Sequence, residues 1–193
     1  IQKQRRDITG KNFIGLSLFY NNDIHIQHDV TKPIPLNRNS VDIIQSEDVM
    51  EHIEYSKLKN IINEMYRILK PNGLFRLSMP DYSCDILYKR SIKDINNNIV
   101  FDHGGGGNFD LQNKKVINGG HLWFPTYSAV KYLLESTNFL KSKIQYLHYY
   151  DENKNPVTKN IDYSLGWIKR TPDHDERVKK PYRPLSIVVD CYK

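Results

Sequence analysis

The chain has 193 residues, of which 39% are hydrophobic and 26% charged, and carries a formal net charge of +6 at pH 7. That content supports one domain over residues 1–193 with a real core, and excludes a disordered chain. No apolar run approaches the roughly 18–20 residues of a membrane span, and the polar residues Ile1-Gln-Lys-Gln-Arg-Arg6 do not read as a signal peptide. Cys84 and Cys191 alone make neither a disulfide framework nor a multi-cysteine zinc site. A reducing, cytoplasmic setting is the expectation. Lys, Asn, Ile and Tyr are abundant and Ala129 is the only alanine. This bias accounts for the basic balance without a nucleic-acid partner.

In chain order, Asn12–Leu18 and Ile24–Asp29 read as strands separated by the turn cluster Asn21-Asn-Asp23. Pro33 and Pro35 then interrupt regular structure. Val41–Ser46 is a third strand, short and β-branched. From Ser56, a plausible N-cap, the residues Leu58, Ile61, Ile62, Met65, Ile68 and Leu69 recur at helical spacing. Lys70-Pro-Asn-Gly73 stops that helix. Leu74–Pro80 is a fourth strand. Residues 92–125 are rich in glycine and asparagine and read as a loop-rich insertion, with Gly104–Gly107 as a mobile loop over the site. A helix over Ser128–Glu135 and strands over Ile144–Tyr150 and Ser186–Tyr192 follow. A polar loop at 151–183 separates the last two strands, so an antiparallel ending is expected. Its segment 169–183 holds six Lys/Arg against three Asp/Glu and reads as a solvated loop. Alternating strands and helices predict an α/β fold with a mostly parallel sheet and an antiparallel C-terminal strand.

Open α/β sheets bind ligands beyond the carboxyl ends of their strands. Carboxylates stand there after the second strand (Asp29), the third (Glu47, Asp48, Glu51) and the fourth (Asp81). His28-Asp-Val30 with Pro33-Ile-Pro-Leu36, then Ser40–Ser46, Val49-Met-Glu-His-Ile53, Arg67–Gly73 and Met79-Pro-Asp81, resemble successive elements of the Rossmann-like class I S-adenosylmethionine-dependent methyltransferases. Gly119–Phe124 and the helix after it resemble the family's approach to its last strands.

The resemblance implies S-adenosylmethionine as cofactor. It implies that Asp29 accepts from the adenine amino group, that the Val30 amide faces the ring, and that Ser46 and Glu47 meet the methionine end. The plainer readings are a strand-end turn acid for Asp29 and a helix-start acid for Glu47. Glu51-His52 and His121 are candidate acid–base groups on the acceptor side, with Trp123 and Phe124 beside them; ordinary packing is the plainer reading of each. His103, Asp102 and Asp110 lack paired metal-ligand spacing, and no metal is expected.

The family's opening strand and glycine-rich turn are not readable in residues 1–11, where Gly10 is the single glycine. Ser17 stands where the family carries an acid for the ribose. The expectation is a fragment beginning at Ile1, incomplete at the N-terminus, that binds the cofactor weakly or not at all by itself. Exposed strand edges would then invite self-association. The alternative is a non-catalytic Rossmann-like interaction module. The methyl acceptor is not readable.

Overall fold

The computed structural model describes residues 13–193. The expectation concerning a glycine turn in residues 1–11 lies outside the described residues.

Two short strands, β1 (Gly15–Ser17) and β2 (His25–Gln27), pair in parallel as a separate ribbon. Leu16 and Val30 press this region onto the main core. The segment from Ile34 to Leu36 is tied to the following helix. The Ile34 amide donates to Glu64 (2.7 Å), and Arg67, held by the same Glu64, donates to the carbonyls of Ile34 and Leu36.

The main sheet has the order β10-β9-β11-β4-β3. Its strands are β3 (Val41–Glu47), β4 (Leu69–Pro80), β9 (Ile144–Tyr150), β10 (Pro156–Thr158) and β11 (Ser186–Tyr192). Strands β3 and β4 pair in parallel. Strand β11 enters antiparallel between β4 and β9, and β10 folds back on β9 as a hairpin. The expected antiparallel ending is therefore present. The expected mostly parallel sheet is corrected to a mixed one: β3, β4 and β9 share a direction, but β11 and β10 oppose it. No α-helix lies between β9 and β11 to carry a parallel crossover, and an antiparallel strand needs none.

Helix α1 (Tyr55–Ile68) lays Leu58, Ile61, Ile62, Met65 and Ile68 against the sheet, the stripe that the helical spacing predicts. Its N-cap position is Glu54 rather than Ser56. Strand β4 starts directly after the helix, and Lys70–Gly73 bulges out between Val41↔Leu69 and Ile43↔Leu74 with Asn72 in the left-handed region. Helix α2 (Asp85–Arg90), which the sequence reading left out, follows β4. Helix α3 (Tyr127–Glu135) packs Val130, Leu133 and Leu134 into the core.

The segment 92–125 is more ordered than a loop-rich insertion. It holds two hairpins, β5 (Ser91–Lys93) with β6 (Ile99–Asp102) and β7 (Asn108–Asp110) with β8 (Lys115–Ile117). The polar run 151–183 likewise contains β10 and short 3-10 turns. Polar hairpins escape periodicity because neither face of so short a ribbon is fully buried. No helix among the described residues is long and apolar enough to cross a membrane.

Candidate functional site

The carboxyl ends of β3 and β4 lie side by side, with Glu47 opposite Ser78. Immediately after β3, Asp48 takes a left-handed backbone (φ 53°), a conformation that Asp tolerates better than most residues. It turns the chain into a single 3-10 turn, Met50–His52. Three hydrogen bonds fasten this turn to the segment Gly120–Trp123. His52 Nδ1 meets the Gly120 carbonyl (2.9 Å), the Leu122 amide donates to the Glu51 carbonyl (2.8 Å), and Trp123 Nε1 donates to the Met50 carbonyl (2.9 Å). They bring His121 onto Glu51 across 70 residues of sequence.

The Glu51 carboxylate is fully buried, and neither of its oxygens has a hydrogen-bond partner among the described residues. His121 Nε2 lies 3.7 Å from Glu51 Oε1, and the rings of His52 and His121 meet edge to face at 4.7 Å. One ligand atom from each of Glu51, His52 and His121 falls within 4.8 Å of the others. Burial, reinforced by the nearby Asp48 charge, pushes the Glu51 carboxyl up to about 8. Burial and the neighbouring His52 push His121 down to about 4, so its ring is neutral at pH 7.

Behind His121 runs a chain of polar groups. Tyr82 Oη hydrogen-bonds both His121 Nδ1 and Asp102 Oδ2. Asp102 receives Arg90 through two parallel bonds, Nε to Oδ1 (2.7 Å) and Nη2 to Oδ2 (2.6 Å). Burial works to raise Asp102, but the hydrogen bonds from Arg90 and Tyr82 outweigh it and hold the carboxyl below the usual carboxylate range. Asp102 is thus ionised and accepts only. Burial, and then the bond to Asp102, raise the Tyr82 phenol, so it keeps its proton.

The glycine run fits into this frame. A Cβ on Gly105 would stand 2.7 Å from the His121 ring, and one on Gly104 would stand 2.5 Å from Arg90 Cζ. Gly107 and Gly120 meet neighbouring backbone just as closely, at positive φ. The run expected as a mobile loop over the site is packed against it, and this close approach is why glycine is required.

Of the residues expected on the cofactor side, Asp29 and Val30 follow β2, and Ser46 and Glu47 end β3, where the Glu47 charge helps to raise Glu51. Asp29 follows β2, and its Oδ1 accepts from the Thr31 amide and hydroxyl (2.9 and 2.8 Å), bonds that hold it below its ordinary value. Val30 lines a 380 Å³ cleft with Thr31, Pro33, Asn60 and Glu64. Ser46, at the end of β3, is buried with its hydroxyl unpartnered among the described residues. Glu47 accepts from the Lys169 amide (2.9 Å) and so anchors the 167–170 segment. Next to it, Arg170 pairs with Asp48 at 3.1 Å. Ser17 accepts from the amides of Phe19 and Tyr20 and shapes a turn. His52 and His121, expected as acceptor-side candidates, are brought together. Trp123 and Phe124 pack beside them, on Tyr55 and Tyr82 respectively. Sequence reasoning missed the parts played by Tyr82, Asp102 and Arg90. The one signal toward them was the Pro80-Asp-Tyr82 run placed directly after a strand.

Residues 7–77 match the protein family described as a methyltransferase domain. No curated protein sequence matches the chain. Among solved structures, a SAM-dependent methyltransferase from Archaeoglobus fulgidus superposes with a TM-score of 0.50 at 13% identity, over 93% of this chain and 75% of that one. Another from Methanosarcina mazei gives 0.49 at 13% identity over 88% of this chain and 66% of that one, and one from Mesorhizobium loti gives 0.46 at 14% over 90% and 72%. At such identities the likeness concerns the fold. The match over residues 7–77 and the Archaeoglobus superposition agree with the elements read from residues 28–82: the chain has the fold of the class I S-adenosylmethionine-dependent methyltransferases.

Proposed function

We propose that this chain serves S-adenosylmethionine-dependent methyl transfer, with the cofactor held by the ends of β2 and β3 and the acceptor received over Glu51, His52 and His121. The observation that carries this reading is the convergence of those three side chains beyond the carboxyl ends of β3 and β4, where open α/β sheets take their ligands.

The cofactor side fits by its chemistry. The Ser46 hydroxyl is a buried polar group that lacks a partner among the described residues, and such groups call for one. Asp29 is an ionised, accept-only carboxylate, suited to an exocyclic amine. When bound, S-adenosylmethionine supplies a methyl group on sulfonium sulfur, open to direct displacement. The protein then holds the acceptor in line and excludes water, a task of positioning rather than covalent chemistry. Trp123 and Phe124, fixed beside the histidines, supply apolar walls. His52 stands on the exposed side, where it can take up a proton that the acceptor releases and pass it to solvent.

Saturation-transfer NMR with S-adenosylhomocysteine tests the reading, because it registers weak complexes. Expected are transfer to the adenine protons from the parent chain and its loss in Ser46→Leu, which fills the space beside the hydroxyl. Absence of transfer from the parent chain to the ligand would overturn the reading in favour of a non-catalytic interaction module.

A further inference from the structure

We infer that Glu51, His52 and His121 form a binding site for a single divalent transition-metal ion. The donor set is one carboxylate and two imidazoles, each offering an atom within 4.8 Å of the others. Imidazole with carboxylate suits borderline ions such as Zn²⁺ or Co²⁺ better than Mg²⁺ or Ca²⁺, which prefer all-oxygen shells. A shared ion at about 2.1 Å from each atom would hold the three at about 3–3.5 Å from one another. Small side-chain rotations bring them there.

The surroundings of the three residues point the same way. A carbonyl can only accept, so the His52 Nδ1 at the Gly120 carbonyl carries the hydrogen, and Nε2 keeps its lone pair. Asp102, ionised against Arg90, accepts the one hydrogen bond that the Tyr82 hydroxyl can donate. Tyr82 Oη must then accept from His121 Nδ1, which again leaves Nε2 with the lone pair, 3.7 Å from Glu51. Both histidines are therefore locked in the tautomer that ligates through Nε2, by acceptors of the kind that orient metal-bound imidazoles. Between them lies a buried carboxylate with both oxygens unpartnered among the described residues. A buried carboxyl group in that state calls for a partner, and a divalent cation, on displacing its proton, supplies one. His52 lies on the exposed side, so coordination positions toward solvent remain for water or a substrate oxygen.

The site requires neither cofactor nor acceptor, so its test is independent of methyl transfer. The chelator-treated chain is titrated with Zn²⁺ in a calorimeter and with Co²⁺ under visible absorption. Expected are one ion per chain, d–d bands of a low-symmetry nitrogen–oxygen site, and a rise in Tm with Zn²⁺. Glu51→Gln and His52→Gln are each expected to weaken binding at least about tenfold and to abolish the Tm rise, whereas His103→Gln, at an exposed histidine outside the cluster, leaves both unchanged. Glu51→Gln keeps the shape and replaces the carboxyl group by a neutral amide. Should its fold be disturbed, His52→Gln at the exposed position decides alone. Absence of binding by the parent chain, or binding that survives His52→Gln, would overturn the proposal.

Discussion

At the residue scale, the organising group is His121, and the atoms around it decide what it can do. Tyr82 is the hydrogen-bond partner of its Nδ1. Tyr82→Phe removes the acceptor that selects the tautomer while keeping the ring that packs on Phe124. The expected outcome is metal affinity lower by about 10–100-fold in the Zn²⁺ titration, with near-native far-UV circular dichroism. Gly105→Ala acts on the ring directly. Its methyl group would overlap the imidazole, and overpacking of this kind costs about 1–3 kcal/mol, to be read as a lower denaturation midpoint in urea. The sequence made part of this legible. His52 and His121 stood out because each follows an acid or a glycine pair at the end of a recognisable element. What joined them did not stand out, since residues 52, 82, 102 and 121 share no period and meet only through tertiary folding. Asp102 carries the same lesson. Its spacing supports no metal site, and in the fold it serves Tyr82 and Arg90 instead.

At the element scale, β4 and β11 are joined by more than their ladder. Arg76 and Asp190 face each other in register and pair through two bonds of 2.8 and 2.7 Å, with the Arg76 side chain fully buried. The same guanidinium donates to the carbonyls of Asp162 and Gly166, so a strand pair also holds the loop that precedes the 167–170 anchor. Arg76→Met would leave a buried carboxylate uncompensated, and a loss of about 3–5 kcal/mol is expected from urea unfolding. The double variant Arg76→Met/Asp190→Leu should recover much of that loss, because an apolar pair needs no compensation. The elements themselves were readable wherever a face is buried. Helix α1 and the strands β3, β9 and β11 show clear patterns and fall close to their expected bounds. Helix α2 spans only Asp85–Arg90 with Leu87 as its one buried residue, too short for a period to show. The small hairpins of residues 91–117 bury little and so leave no alternation to find.

At the scale of the whole molecule, stability depends on pH through acids that folding hides. Asp81 is fully buried; burial pushes its carboxyl up to about 6, although the amides of Ser83 and Tyr150 donate to it. Its folded value lies above its unfolded one, near 3.8. The folded state therefore binds more protons between pH 4 and pH 6, and stability from this group falls as pH rises through that window. Two units correspond to about 3 kcal/mol. Comparison of the parent chain with Asp81→Asn isolates the group from others that titrate in the same range. Relative to the parent, the variant should gain about 3 kcal/mol in unfolding free energy between pH 4 and pH 6, with a constant difference above. A difference that does not change with pH would rule this assignment out.

The place of β11 bears on how the molecule comes into being. It lies later in the chain than every other strand, yet it fills the gap between β4 and β9. Until residues 186–192 emerge during synthesis, both neighbours present bare hydrogen-bonding edges, and β4 has no antiparallel partner for its apolar run. The sheet can close only as a late insertion, with contacts that span more than a hundred residues. Between the emergence of residues 144–150 and of residues 186–192 a nascent chain holds two open edges, the state in which strands of neighbouring chains compete for the same slot.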